Sequence, residues 1–237
     1  MKKIIAVLMM LLVVVPFISA KAIEGNYYVY GKGDEVNFYT YEGDTVGSRT
    51  IILSDEGANS QYVKTLVTGF MMTTPYAELP EQSADITQFK NTLAYSNLKS
   101  ELEGRLNGMP YARNLDEELS LITLDELIDV FGATQNGDTY TIDATKWGNV
   151  FRNIESSKEG MFTQTLADNN TKVWVVKFPK TDAGEVTSIT VEKEDITSTW
   201  TAVPVVYLDK TYDCVERENQ ELHLGRSWTT RTILYFS

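Results

Sequence analysis

The sequence predicts an α+β fold in which an N-terminal hairpin and two helices pack on a C-terminal antiparallel sheet. Between residues 160 and 208, strand-forming residues alternate with short polar turns, which is typical of antiparallel sheets. Two segments between residues 83 and 132 carry apolar residues at helical spacing together with helix-capping residues. The chain has 237 residues, of which 43% are hydrophobic, and is therefore long enough to bury a sizeable core.

Residues 172–178 (KVWVVKF) form the strongest predicted strand, because β-branched and aromatic side chains fit a pleated surface. Alternation places Trp174 and Val176 on one face of this strand and Val173 and Val175 on the other. Apolar side chains on both faces predict a central strand that is covered on two sides.

Two further strands are predicted after it. Residues 185–191 (EVTSITV) are more polar, which favours a position near an edge of the sheet. Residues 201–208 (TAVPVVYL) contain Pro204, which cannot donate a backbone hydrogen bond, so this strand should lie at an edge or carry a bulge. We expect the strand around Trp174 to pair with the strand around Val205.

The N-terminal part predicts a hairpin that joins the same sheet. Residues 27–40 and 49–53 have strand-forming composition, and residues 42–44 (EGD) form a turn between them.

The first predicted helix spans residues 83–106, with Ser83 as its N-cap. Asn107 and Gly108, followed by Pro110, end it. Its apolar residues recur mostly at a spacing of three or four, namely Ile86, Phe89, Leu93, Leu98, Leu102 and Leu106.

The second predicted helix begins at Leu124. Thr123 and Glu126 have the spacing of a capping box, and Gly132 closes the end. The side chains expected to face the core are Leu124, Leu127, Ile128 and Phe131. Asn136 and Gly137 then indicate a hairpin turn before a strand at 139–142, and residues 147–154 form a short helical or irregular segment.

The N-terminus has the features of a signal peptide, residues 1–22. Lys2 and Lys3 precede an apolar run at 4–15, and cleavage is expected after Ala22 or Ala20. The run is short for a membrane span, so we expect no stable membrane span after cleavage. This predicts a secreted or cell-surface protein with one α+β domain at 23–210. Within it, the helices occupy about 83–132 and the sheet about 133–210, and a poorly specified tail follows at 211–237.

Composition excludes several classes of function. A formal net charge of −12 argues against nucleic acid as a partner, because the phosphate backbone would be repelled. Cys214 and His223 are the only cysteine and the only histidine, so no internal disulfide is expected. One residue of each type is too few for a zinc site, and no third group is evident that would orient them as a nucleophile pair. We therefore predict no catalytic residues, no metal and no cofactor.

Five motifs in a fixed order resemble a family of largely uncharacterised exported proteins of Gram-positive-type bacteria, and the resemblance covers about residues 27–210. The C-terminal part of those proteins is similar to C-type-lectin-like and formylglycine-generating-enzyme-like domains. The matching segments are 33–36 (GDEV), 119–127 (LSLITLDEL), 162–165 (FTQT), 173–176 (VWVV) and 204–210 (PVVYLDK).

The resemblance implies a C-type-lectin-like fold. The chain departs from the family at residues 201–204, where Thr-Ala-Val-Pro replaces the usual Gly-Val-Arg-Pro, and at Ser120, which replaces an arginine. Formylglycine-generating chemistry depends on paired cysteines, and the single Cys214 argues against it. The calcium ligands of sugar-binding lectins have no counterpart beside Pro204, which lies between two valines.

The candidate ligand-binding residues are Trp200 and the neighbouring hydroxyl side chains of Thr197, Ser198 and Thr199. They lie in the longest polar connection of the sheet region, residues 192–200. Loops carry most binding sites, and an indole flanked by hydroxyl groups suits a sugar or a polar peptide. The alternative is that Trp200 folds inward and caps the core.

Taken with the export signal, these features predict a non-catalytic extracellular interaction module whose partner is an unknown extracellular protein or glycan. One alternative is a carbohydrate-active hydrolase with paired carboxylates from residues 117–118 or from Glu192, Glu194 and Asp195. Another is a structural subunit that assembles through an edge strand. Residues 168–170 (DNN) could bind calcium, but a hairpin turn is the favoured interpretation.

Overall fold

A computed structural model describes residues 31–38, 48–54, 62–69, 71–77, 85–106, 119–154, 156 and 158–209. All of them belong to one compact unit, Tyr30–Leu222. Within these segments there are 11 strands and three α-helices, which confirms the predicted α+β class. No helix in the described part has the length and the apolar composition needed to cross a membrane.

The helices are α1 (Leu93–Leu106), α2 (Leu124–Phe131) and α3 (Ala144–Arg152), and a short 3-10 helix spans Phe89–Asn91. The strands are β1 (Glu35–Phe38), β2 (Ser48–Ser54), β3 (Tyr62–Val67), β4 (Met72–Pro75), β5 (Thr134–Asn136), β6 (Thr139–Ile142), β7 (Gly160–Ala167), β8 (Lys172–Lys177), β9 (Ile189–Asp195), β10 (Thr199–Ala202) and β11 (Val205–Asp209).

The strands form two sheets instead of the single predicted one. The smaller sheet has the order β1-β2-β3-β11, and the larger has the order β4-β10-β7-β8-β9-β6-β5. Neighbouring strands are antiparallel, except that β10 runs parallel to β7. The predicted N-terminal pairing exists between β1 and β2, but it belongs to the smaller sheet and not to the sheet that contains β8.

Strand β8 is central and covered on both faces, as predicted. It is the fourth of seven strands. Val173 and Val175 pack in one core cluster together with α1, whereas Trp174 and Val176 pack in a second cluster with α2 and α3. The two apolar faces of the strand thus correspond to two separate layers of helix.

The expected pairing between the strands around Trp174 and Val205 is wrong, because the chain changes sheet at Pro204. β10 ends at Ala202 in the larger sheet, and β11 begins at Val205 in the smaller one. Pro204 has no backbone N–H and interrupts the ladder, and its carbonyl accepts a hydrogen bond from the Val67 N–H at 2.9 Å. β11 is the last strand in the order of the smaller sheet, which agrees with the edge position predicted from this proline.

The strands β3 and β4 change sheet beside this point. β3 pairs with β11 in the smaller sheet, and β4 pairs with β10 in the larger sheet. The two chain segments β3–β4 and β10–β11 therefore run side by side from one sheet into the other. Strands that switch sheets in this way form the corners of packed β layers. The corner places β4 beside β10, so that Thr74 lies opposite Trp200.

The predicted edge position of residues 185–191 is also wrong. The strand is β9, Ile189–Asp195, and it pairs on both sides, with β8 and with β6. Ile189 and Val191 are buried on one face, whereas the alternate residues Thr190 and Glu192 lie on the other. The polar composition therefore reflects one exposed face of an interior strand.

Helix α1 starts ten residues later than predicted. The Thr92 hydroxyl accepts a hydrogen bond from the Tyr95 N–H at 3.1 Å and so caps the helix. Upstream, the Asp85 carboxylate accepts one from the Thr87 N–H at 3.2 Å. Such side-chain contacts compete with α-helical hydrogen bonds, which explains why the segment before Thr92 forms turns and a short 3-10 helix instead of an α-helix. The buried face of the helix contains Ala94, Leu98 and Leu102.

Helix α2 forms as predicted. The Thr123 hydroxyl accepts from the Glu126 N–H, the Glu126 carboxylate accepts from the Thr123 N–H, and Gly132 ends the helix with φ 69°. Ile128 is the exception, because it is 42% exposed although it was expected in the core. At 100° per residue, it lies on the outer border of the apolar stripe, and Val130 on the opposite border is buried instead.

Helix α3 confirms the helical alternative for residues 147–154, although it begins earlier. The Asp143 carboxylate accepts a hydrogen bond from the Thr145 N–H at 2.8 Å and caps its start. The hairpin signal at Asn136 and Gly137 is confirmed by the pairing of β5 with β6.

Several predictions concern residues that lie outside the described segments. They are the signal peptide at 1–22, the cap at Ser83, the carboxylates of Glu117 and Glu118, the tail at 211–237, and Cys214 and His223. The proposed boundaries of the single domain, 23 and 210, also stay predictions.

Candidate functional site

Trp200 lies in strand β10 and not in a long loop. β9 continues to Asp195 and β10 begins at Thr199, so the connection has only three residues, 196–198. Trp200 pairs with Thr74 of β4, and its half-buried side chain packs against the core cluster that contains α1. The ring therefore combines a core contact with a surface position.

Two of the three residues predicted to place a hydroxyl beside Trp200, Thr197 and Thr199, do not do so. The Thr197 N–H and hydroxyl both donate to the Asp195 carboxylate, at 2.9 and 2.6 Å, and this turn lowers the pKa of Asp195. Thr199 precedes Trp200 by one strand position, so alternation places it on the opposite face of the sheet. Ser198 closes the turn by donating its N–H to the Asp195 carbonyl at 2.9 Å.

Two lysines lie over the Trp200 ring instead. The Nζ of Lys177, at the end of β8, is 5.5 Å from the ring centroid, and the Nζ of Lys158, just before β7, is 5.8 Å from it. Both distances are within the range of a cation–π interaction. The Trp200 ring is thus covered by two ammonium groups of the same chain.

Two carboxylates of β9 hold Lys177. Its Nζ donates to Glu192 Oε2 at 2.8 Å and lies 2.5 Å from Glu194 Oε1. Glu192 and Glu194 are two positions apart on the strand and therefore share a face, and the long lysine side chain reaches them from the adjacent strand β8. The Thr190 hydroxyl also donates to Glu192, at 3.0 Å.

These contacts shift the protonation equilibria. The hydrogen bond from Lys177 lowers the pKa of Glu192, with a smaller contribution from Thr190. Partial burial opposes the charged form of Lys177, but the hydrogen bonds to Glu192 and Glu194 outweigh it and raise the pKa of the ammonium. Both groups are therefore charged near neutral pH.

Gly160 provides the space in which the Trp200 indole packs against β7. A Cβ at this position would lie 2.7 Å from the Trp200 ring atoms Cε3 and Cζ3 and 3.0 Å from the Val176 carbonyl oxygen. Real Cβ contacts are not this short, so only glycine lets the ring approach the backbone of β7. The position of the ring is thus determined by the first residue of β7.

The indole N–H of Trp200 is buried without a partner among the described residues. Burial of an unpaired donor costs about 1–3 kcal/mol. Trp200, Lys158, Lys177, Glu192 and Glu194 are called the Trp200 cluster below. Of these five, sequence reasoning singled out Trp200 as a binding residue and considered the two glutamates only as part of an acidic group.

The acidic group is divided by the fold. Glu192 and Glu194 lie on the sheet face, whereas Asp195 forms the turn after β9. The period-two spacing of the glutamates and their offset from Lys177 on the preceding strand could have indicated this contact. The approach of Lys158 could not be inferred, because no regular element connects it to Trp200.

The segment 168–170 forms the turn between β7 and β8. Asp168, Asn169 and Asn170 have φ values of 50°, 57° and 66°, in the left-handed region that Asp and Asn tolerate. The Asp168 carboxylate accepts a hydrogen bond from Lys193 Nζ at 2.9 Å. Within the described residues, no group of three or more His, Cys, Asp or Glu side chains is arranged to hold a metal ion.

No protein-family model matches the chain, and comparisons with curated proteins and with solved structures give no match.

Proposed function

We propose that the protein is an exported, non-catalytic binding module and that the Trp200 cluster contacts its ligand, an extracellular protein or a glycan. The observation that carries the proposal is the half-buried Trp200 ring, over which the ammonium groups of Lys158 and Lys177 lie, with Glu192 and Glu194 beside Lys177. Aromatic rings with one polar edge are common anchors in binding sites.

The export part of the proposal depends on the signal-peptide features of residues 1–22. The C-type-lectin-like resemblance adds support, because it carries the expectation of an extracellular binding domain. Both are sequence arguments, and neither depends on the geometry of the Trp200 cluster.

A carbohydrate-active hydrolase is the first alternative. Glu192 and Glu194 contact the same Lys177 Nζ, so their carboxylates are close together, as the two carboxylates of a retaining glycosidase are. The ammonium of Lys177, however, contacts both carboxylates and so occupies the space between them, where the scissile bond would have to lie. We therefore prefer the non-catalytic function.

Assembly through an edge strand is the second alternative. The outer strands of the larger sheet are β4, which ends at Pro75, and β5, whose three residues are exposed and polar. Short, polar or proline-containing edges oppose the addition of a further strand. Assembly is therefore disfavoured at both edges of the larger sheet, which is the sheet that contains Trp200.

The proposal is tested by probing arrays of glycans and extracellular proteins with the mature protein. Trp200→Phe keeps an aromatic ring at this position but removes the larger π surface of the indole, and Trp174→Phe is the matched change on the opposite face. We expect Trp200→Phe to weaken the array signal, because a phenyl ring offers a smaller π surface than an indole, and Trp174→Phe to retain it. Equal signals from wild type and Trp200→Phe would contradict the proposal.

A further inference from the structure

We propose that the ligand presents a basic side chain, a lysine ammonium or an arginine guanidinium of an extracellular polypeptide, to the Trp200 ring and to the carboxylates of Glu192 and Glu194. This inference rests on the proposed function and specifies the chemical class of the ligand.

The ring already receives cations from its own chain. Lys177 and Lys158 place their ammonium groups 5.5 and 5.8 Å from its centroid. The negative face of an indole attracts such groups, and Trp is the most favourable aromatic side chain for this interaction. A ligand cation would occupy the same kind of position.

The carboxylates have capacity for a second cation. Glu192 and Glu194 both contact the single ammonium of Lys177, so the three side chains carry a net negative charge. Each carboxylate has two oxygens that accept hydrogen bonds, and charge-assisted bonds to ammonium or guanidinium groups are the strongest available to them.

Lys158 is the group that the ligand replaces. Its side chain is exposed, and within the described segments it contacts no aromatic ring other than Trp200 and no carboxylate. An exposed cation–π contact contributes only about 0.5–1 kcal/mol, so displacement costs little. Lys177 is different, because the two glutamates hold it in place.

The charge of the whole chain favours the same class of ligand. A formal charge of −12 attracts a cationic partner and accelerates its association, whereas an anionic ligand would be repelled.

The probe is a fluorescein-labelled peptide of alternating lysine and glycine, titrated with the full mature protein and followed by fluorescence anisotropy. We expect the double variant Glu192→Gln/Glu194→Gln to weaken binding about tenfold, which corresponds to the loss of one charge-assisted contact. The matched control is Asp182→Asn/Glu185→Gln, which removes two charges from exposed positions elsewhere and should change affinity less than about twofold. Equal weakening by the two double variants would mean non-specific attraction and would overturn the inference.

A second pair of variants is expected to tighten peptide binding instead of weakening it. Lys158→Met removes the internal competitor and should tighten binding of the peptide more than Lys90→Met does, although both remove one exposed positive charge. Weaker binding by Lys158→Met would overturn the inference.

The two proposals fail separately. If the arrays give a Trp200-dependent signal for uncharged glycans and the lysine peptide does not bind, only the cationic ligand is excluded. If neither the array signal nor peptide binding depends on Trp200, both proposals are excluded.

Discussion

Trp174 and Trp200 lie on opposite faces of the larger sheet, and each has a lysine over its ring. Trp174 is only 8% exposed and packs edge-to-face on Tyr140, with ring centroids 5.3 Å apart. Trp200 packs on the backbone at Gly160 and is half-buried. Trp174 is therefore a core residue with a small exposed edge, whereas Trp200 is a partly exposed residue that packs against the core.

The lysines differ in the same way. Lys193, 5.4 Å from the Trp174 centroid, is paired with the Asp168 carboxylate at 2.9 Å. Trp200 has two lysines, of which only Lys177 is held by carboxylates. A lysine over an indole is therefore not by itself a sign of a binding site. Trp200 differs from Trp174 in the packing of its ring and in having a second lysine, Lys158, that no described carboxylate holds.

The largest expected effect is the difference in stability between two truncations. Trp174→Ala should lower the free energy of unfolding by about 3–5 kcal/mol, as large-to-small changes in a core do. Trp200→Ala removes a half-buried ring and should cost less than about 3 kcal/mol. Denaturant unfolding of both variants measures the difference, and an equal cost would remove the distinction between the two tryptophans.

A smaller effect is expected from Gly160→Ala, which places a methyl group where the Trp200 ring lies. Overpacking should cost about 1–3 kcal/mol and should weaken ligand binding by moving the indole. Gly31→Ala is the matched control, because among the described residues its Cβ would meet only the Asp34 carboxylate, at an ordinary 3.7 Å. If Gly160→Ala were as stable as the control and bound the ligand as well as wild type, the close contact between the Trp200 ring and Gly160 would be wrong.

The smallest effect concerns pH. The pKa of Glu192 is lowered in the fold, so its contact with Lys177 stabilises the protein above the ordinary value of 4.5, and this contribution is lost as the pH falls through the folded-state pKa. The pKa of Lys177 is raised in the fold. Its contribution to stability is therefore complete below the ordinary pKa of 10.5 and is lost as the pH rises through the higher folded-state pKa.

We therefore expect Lys177→Met to lower the melting temperature most near neutral pH and less toward about pH 3. Both side chains are about one-third exposed, so the effect should correspond to less than about 1 kcal/mol. Lys193→Met, beside the more exposed Asp168, should have a smaller effect. A difference from wild type that grows as the pH falls would contradict the assigned contacts.

Local patterns in the sequence were sufficient for the elements that local chemistry determines. The two apolar faces of residues 172–178 predicted the central strand β8, and the capping box at Thr123 and Glu126 predicted α2. The start of α1 was missed because the sequence offers two possible N-cap residues, Ser83 and Thr92. Serine and threonine have similar preferences for the N-cap position, so capping preference alone does not decide between them.

The candidate site was predicted only in part, because its parts come from distant segments. Trp200 was identified, but Lys158, Lys177 and Gly160 approach it through the order of β7, β8 and β10 in the sheet. β10 lies beside β7 instead of pairing with the preceding strand β9, and pairing between strands so far apart in sequence leaves no local pattern. The neighbouring hydroxyls were chosen from sequence proximity, which alternation along a strand does not preserve.

The most direct test of the binding assignment is a nuclear magnetic resonance titration that observes the indole N–H signals of the four tryptophans. Trp200→Phe and Trp174→Phe assign the two relevant signals by their disappearance. On addition of the lysine–glycine peptide, we expect the Trp200 signal to shift and to saturate with the affinity measured by anisotropy, while the Trp174 signal stays in place. If the Trp200 signal does not move while the peptide binds, or if the Trp174 signal moves as much, the Trp200 cluster is not the binding site for this ligand.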